Sequence, residues 1–244
     1  MKFILIQFIA IAAALVSVDA IIPSYIRTCS RNDKHMSACV KSSVENLRPI
    51  LITGIPELDV PPIDPLHLDE LELNLGRGIN AKGVNLKLKG GKNFRIEDVQ
   101  VDVKADTYSF VVSIPEIIAE GNYTIDATIA SIPLKGHGPL LLVAKSIVGR
   151  GQLHGKKAFK GGQTLYWFPE MSLEVKIADY DIKLMDLFKG NKALGEVTNN
   201  LLNEEKPEVI LSIAPAIEKA LINRILPTAN KICTIATFDE LFPE

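Results

Sequence analysis

Residue types that commonly bind metals are few and scattered in this chain. Its four histidines, His35, His67, His137 and His154, lie in four separate segments, without a His-Glu-x-x-His arrangement. A zinc site needs several such ligands at a spacing that lets them converge on one ion. We therefore predict no metal site and interpret the histidines as surface residues.

Signals for catalysis are equally weak. No Gly-x-Ser-x-Gly elbow presents a serine nucleophile, and Cys233 has no recognisable partner motif. The Gly-x-Gly at 149–151 falls among predicted strands with no helix behind it, so it does not suggest a phosphate or nucleotide cofactor. The sequence thus predicts a protein that is not an enzyme and has no cofactor.

The first twenty residues have the composition of a secretory leader. Lys2 supplies a positive charge, an apolar run follows, and small or compact residues precede a predicted cut after Ala20. An uncleaved membrane anchor would need a longer apolar span. We predict a signal peptide at 1–20 and one mature domain at 21–244, secreted into an extracellular fluid. The net charge of −2, without a basic stripe, argues against a nucleic-acid partner.

The three cysteines fit an oxidising compartment. Cys29 and Cys39 are close in sequence and Cys233 is far away, so we predict a Cys29–Cys39 disulfide and a free, buried Cys233.

Asn122 begins the sequence Asn-Tyr-Thr, an acceptor for N-glycosylation in a secreted protein, and its neighbours suggest an exposed turn.

Helical spacing dominates both ends of the chain. Apolar residues recur at intervals of three and four between Asp33 and Gly54, and again from Lys192 to Ile225, where Pro215 predicts a bend. After the first helix, the segment at 54–68 is rich in proline yet mostly aliphatic elsewhere, so we expect it to pack on an apolar surface.

Period-two alternation fills the middle of the chain. It predicts six to nine antiparallel strands, each with one wet and one dry face. The sequences KGGK, AEGN, KGHG and KGGQ suggest the turns between them. A sheet and a long amphipathic helix both need to cover an apolar face, and the simplest arrangement curls the sheet around the helix. Solid packing and an elongated lumen both satisfy this pattern.

Several segments resemble one known family in the expected order. They are PSYIRTC, SACVKSSVENLRPIL, GIPELDVPPIDPL, GHGPLLL, LFKGNKALGEVTNNLLNE and FDELFPE, and together they span residues 23–244. The chain is similar to the insect haemolymph juvenile hormone-binding protein family, most closely its takeout-like branch.

The resemblance implies an α+β, tubular lipid-binding fold in which a strongly curved antiparallel sheet wraps a long C-terminal helix. It also implies a carrier of a small hydrophobic ligand, such as a terpenoid, a fatty acid or a similar lipid. We expect a monomer without a transmembrane segment. The sequence does not identify a cell-surface receptor.

Periodicity and the implied fold together select candidate residues for a ligand cavity. The apolar candidates are Val101, Val103, Phe110, Val112, Ile114, Ile125, Phe168, Leu173, Val175, Leu201, Ile213 and Ile217. The tyrosines Tyr108, Tyr123 and Tyr166 are candidate polar anchors. The competing interpretation is that each of these residues is an ordinary packing residue of the core.

Two departures from the family pattern are visible. Hormone-binding members carry a second disulfide in the later half, where this chain has only Cys233. Takeout-like relatives often have an aromatic residue at the position of Lys206 and usually lack the adjacent Pro207.

Two alternative functions stay open beside the carrier. The first is a secreted protein-interaction module without a ligand, and the second is a hydrolase of lipid esters.

Overall fold

The structure is a computed structural model that describes residues 22–74 and 80–244. The predicted leader at 1–20 lies outside these residues. Within them, no helix is both long and apolar enough to cross a bilayer.

Helix α1 (Met36–Thr53) follows the N-terminal segment. The Asp33 carboxylate accepts a hydrogen bond from the His35 N–H at 2.7 Å, just ahead of the first turn. The helix ends at Gly54, whose φ of 86° lies in the region that favours glycine. The predicted Cys29–Cys39 disulfide is present and ties the preceding segment to the helix, and Cys233 is free and buried.

The proline-rich segment packs on the body of the protein. A 3₁₀ turn spans Pro56–Leu58, and Ile55 and Leu58 each expose only 3% of their surface. The backbone of Ile55 pairs with that of Val60. Two aliphatic residues of the segment are thus fully buried, and its prolines are compatible with the absence of an α-helix there.

Six antiparallel strands form one sheet in the described residues. They are β1 (Leu66–Asn74), β2 (Asn80–Lys89), β3 (Arg95–Asp102), β4 (Thr107–Ile129), β5 (Ile132–Lys160) and β6 (Gln163–Leu184). The order is β1-β2-β4-β5-β6, and β3 pairs with the first part of β4. The sheet therefore ends in β6 on one side and in β1 and β3 on the other.

Two of the predicted turns are wrong. The sequences AEGN and KGHG lie inside β4 and β5, where Gly121 pairs with Leu140 and Gly136 pairs with Ile125. A Cβ on Gly121 would lie 2.8 Å from Leu86 Cδ2, so this glycine permits a close approach between strands instead of a reversal. The turns at KGGK and KGGQ are confirmed, because β2 ends at Lys89 and β5 ends at Lys160.

The long strands also interrupt the predicted alternation. Ala144 and Ile147 of β5 pack in the same cluster although they are three residues apart, as do Ile177 and Tyr180 of β6. Strict alternation would place them on opposite faces. Ser146, with a φ of 51°, lies in this interval and marks the bend at which the inward-facing positions change parity.

The C-terminal part is helical. It contains a short turn α2 (Leu187–Gly190), in which Phe188 and Lys189 have left-handed backbone angles, then α3 (Lys192–Glu204), α4 (Lys206–Cys233) and a single turn α5 (Phe238–Leu241). Helix α4 has 28 residues and so is about 42 Å long. Pro207 lies in its first turn as expected, and the helix continues through Pro215.

Helix α4 packs along β6 and also contacts β1, so it bridges edge strands on the two sides of the sheet. Its first turns enter one buried cluster through Val209, and its last turn enters a second through Cys233. The first cluster also contains Tyr123, Ile125, Tyr180 and Leu202, and the second contains Val103, Tyr166, Phe168 and Phe238. The α+β fold class is confirmed.

Candidate ligand-binding interior

A band of apolar side chains separates the two buried clusters. Phe110, Val112 and Ile114 alternate along β4 on the same face as Tyr108, which packs against the second cluster. Their partners on β5 are Gly151, Gly149 and Ile147, so glycines lie opposite two of the three. All three side chains are only half-buried, unlike those of the clusters at either end. Apolar residues of a closely packed core are normally fully buried.

The remaining predicted residues fall into three groups. Tyr123, Ile125 and Ile213 belong to or pack on the first cluster, and Val101, Val103, Tyr108, Tyr166 and Phe168 belong to or pack on the second. Leu173 and Ile217 are half-buried, and Val175 is buried. The predicted set is thus divided between two ends and the band between them.

Leu201 requires a correction. It exposes 38% of its surface and shares an outward stripe of α3 with Leu194 and Val197, whereas the next residue, Leu202, is 2% exposed. The face of α3 that contacts the sheet carries Asn199 and Asn203 beside Leu202, and this turns the apolar stripe outwards. Leu201 is therefore left out of the candidate lining.

Four tyrosines use their hydroxyl groups in hydrogen bonds within the protein. Tyr123 donates to the Met185 carbonyl, and Tyr180 donates to the Leu202 carbonyl. Burial raises the pKa of both phenols to about 12, so they remain protonated donors near neutral pH. Tyr123 is consequently a packing residue with a satisfied hydroxyl.

Tyr108 and Tyr166 form the exception. Their hydroxyl oxygens are 2.9 Å apart, and burial raises the pKa of both groups above the ordinary value. One hydrogen bond between two hydroxyls uses one of their two protons. In the described part of the chain the second proton has no acceptor, so this pair retains a hydrogen-bond donor.

Asparagine side chains close the free edge of β6. Asn199 accepts from the Leu184 N–H at 2.8 Å and donates to the Leu184 carbonyl at 2.9 Å. Asn203 makes the same pair with Ile182, and Asn230 of α4 makes it with Phe168. Each amide thereby replaces the backbone partner that another strand would supply. The sequence prediction missed these residues, although Asn199 and Asn203 have the i, i+4 spacing that places them on one helix face.

The C-terminal turn covers the second cluster. Phe238 and Phe242 pack around Tyr166, with ring centres at 5.2 and 6.0 Å. The Lys157 ammonium lies 4.2 Å from the Phe238 ring centre and 2.8 Å from Asp106 Oδ1. Arg31 donates to the Phe242 carbonyl at 2.7 Å. These contacts hold the C-terminus over this end of the sheet.

Other surfaces fit an apolar ligand less well. Two outer grooves of about 440 and 420 Å³ are lined by charged side chains and prolines, including Lys87, Lys89 and Lys231, and contain none of the predicted lining residues. No group of three or more metal-ligating side chains occurs within residues 22–74 and 80–244.

A long helix packs along a strongly curved antiparallel sheet whose inner face is apolar. The chain belongs to the haemolymph juvenile hormone binding protein (JHBP) family, whose pattern matches residues 5–243. This confirms the resemblance read from the sequence. Members of the family are carriers of hydrophobic ligands.

Individual relatives are distant but cover most of the chain. The "Putative beta-carotene-binding protein" of Schistocerca gregaria is 24% identical over 220 residues, 89% of this chain and 88% of that protein. The "Circadian clock-controlled protein daywake" of Drosophila melanogaster is 20% identical over 231 residues, 90% and 88% of the two chains. The crystal structure of Takeout 1 from Epiphyas postvittana has a TM-score of 0.75 at 23% identity, covering 89% of this chain and 99% of that one, and it shows the fold.

Proposed function

We propose that this protein is a secreted carrier that holds one small hydrophobic molecule between the sheet and α4. The observation that carries the proposal is the half-buried apolar band of β4, which lies between two fully buried clusters. Side chains that are apolar and yet incompletely packed provide the surface that an apolar guest would cover. Phe110, Val112 and Ile114, with Leu173 and Ile217 facing the same interior, form the proposed lining.

Apolar burial alone supplies adequate affinity. A terpenoid, fatty acid or comparable lipid that buries about 400 Å² of apolar surface gains roughly 10 kcal/mol before association costs of several kcal/mol are subtracted. Micromolar to nanomolar binding follows without a catalytic group or a metal. The uncommitted proton of the Tyr108–Tyr166 pair adds a donor for a ligand oxygen.

Secretion is the second part of the proposal. It is supported by the composition of residues 1–20, by the Cys29–Cys39 disulfide and by membership of a family named for haemolymph. The relative named for β-carotene suggests that long polyenes belong in the first ligand panel, beside terpenoids and fatty acids.

A matched pair of variants on neighbouring residues tests the binding site. Val111 and Val112 are adjacent in β4, and the alternation of strand side chains places them on opposite faces. We expect Val112→Trp to lower the uptake of an apolar fluorescent probe at least tenfold, because the indole occupies the lining, and Val111→Trp to leave uptake within twofold. If Val112→Trp fails to fold, Val112→Phe serves instead. Equal uptake by folded variants of both positions would contradict the proposal.

A ligand-free interaction module is the second candidate. The outward apolar stripe of Leu194, Val197 and Leu201 on α3 favours it, since such stripes on soluble proteins often mark contact surfaces. That function predicts no uptake of probe by the unmodified protein and no effect of Val112→Trp.

A further inference from the structure

Asn122 occupies a position in the fold that suits covalent modification. It starts the only Asn-x-Ser/Thr sequence in the chain. The structure places it inside β4, opposite Val84 of β2 and Pro139 of β5, and not in the turn that its neighbours suggested. A position within a strand fixes the direction of its side chain.

The two ends of the acceptor sequence point away from the protein. Asn122 and Thr124 are exposed, whereas Tyr123 between them is 5% exposed and donates its hydroxyl proton to the Met185 carbonyl. Residues i and i+2 of a strand share a face and lie about 7 Å apart. Tyr123 thus anchors the strand inwards while both acceptor residues stay on the outer face.

The surroundings of Asn122 leave room for a bulky substituent. Val84 and Pro139 are compact and lie on either side, and none of the hydrogen bonds of the described residues uses the Asn122 side chain. On the same outer face, Leu141 pairs with Glu120 and is 37% exposed. A glycan on Asn122 would therefore displace no internal contact, and it would reach the diagonal neighbour Leu141.

We infer that Asn122 carries an N-linked glycan in the secreted protein, an inference that rests on the proposed secretion. In the modification, the Asn122 amide nitrogen bonds to the anomeric carbon of a lipid-diphosphate-linked oligosaccharide. The lipid diphosphate leaves, and the nitrogen loses one proton. The glycan covers Leu141 on the outer face of the sheet and leaves the interior between sheet and α4 unobstructed.

The test uses the full chain with its own N-terminal segment, expressed in insect cells. The peptide 105–135 released by trypsin contains Asn122 as its only asparagine, so enzymatic deglycosylation that converts it to aspartate can be assigned without ambiguity. Thr124→Ala removes the acceptor, and Thr124→Ser preserves it at the same exposed position. We expect the glycan on the unmodified chain and on Thr124→Ser, complete loss on Thr124→Ala, and equal uptake of an apolar probe by all three.

The outcomes separate this inference from the proposed function. A chain recovered from the medium with unmodified Asn122 overturns the glycan assignment and leaves secretion standing. A chain that stays inside the cell with unmodified Asn122 overturns both. Loss of probe uptake in Thr124→Ala alone would contradict the placement of the glycan away from the interior.

Discussion

Asn199 offers a sharp test of how the edge of the sheet is closed. Its amide makes two hydrogen bonds, at 2.8 and 2.9 Å, to the backbone of Leu184, which is 7% exposed. Asn199→Leu removes both bonds, each with a net value of about 1 kcal/mol, and leaves a buried N–H and C=O that cost about 1–3 kcal/mol each when unpaired. The lost hydrogen bonds and the unpaired backbone groups describe the same interaction, so the two costs are not added. We expect Asn199→Leu to lower the free energy of unfolding by about 2–4 kcal/mol.

Asn200 supplies the matched control. It is the next residue of α3 and is exposed, and its replacement by leucine makes the same chemical change with the same helix propensity. We expect Asn200→Leu to change stability by no more than about 0.5 kcal/mol. Urea unfolding followed by circular dichroism measures the difference between the two variants. Identical midpoints for Asn199→Leu and Asn200→Leu would refute the account of the β6 edge.

Four further predictions concern the cysteines and the tyrosine pair. Cys29→Ser opens an eleven-residue loop and should lower the free energy of unfolding by about 2–3 kcal/mol in urea titrations, and an unchanged midpoint would show that the disulfide contributes nothing. Burial raises the pKa of Cys233 to about 11, so at pH 8 iodoacetamide should label this thiol only after unfolding, as read by mass spectrometry, and rapid labelling of the folded protein would contradict its burial. Because the folded pKa of Cys233 exceeds its unfolded pKa, the stability linked to this thiol is present below about pH 8.5 and is lost as pH rises towards 11. Urea midpoints of the unmodified protein and of Cys233→Ala, measured across this pH range, test this loss. Tyr108→Phe should weaken binding of a ligand with an acceptor oxygen about fivefold and spare a pure hydrocarbon of similar size, whereas equal effects on both would assign Tyr108 a packing role only.

The main elements were predictable because their apolar periods are strong. Spacings of three and four residues predicted α1, α3 and α4, and alternation predicted the strands. The glycines at 121 and 136 misled the assignment of turns, since the same residue type permits both a reversal and a close approach. Which of the two occurs depends on the neighbouring strand, and a local sequence window does not contain that information.

The candidate site was less accessible to sequence reasoning. Leu201 was expected to face inwards because apolar helix faces usually do. Helix α3 instead uses Asn199 and Asn203 to satisfy the edge of β6, so the face with these amides and Leu202 points inwards and Leu201 points outwards. Likewise, the strand positions that face inwards shift by one residue near Ser146, where the long strands bend. Hydrophobic alternation does not encode this bend.

The carrier function is best tested by native mass spectrometry of the secreted protein, followed by organic extraction and identification of the released molecule. We expect one apolar molecule of defined mass per chain, and none in the Val112→Trp protein. An empty protein that also takes up none of a panel of terpenoids, fatty acids and polyenes would contradict the carrier function.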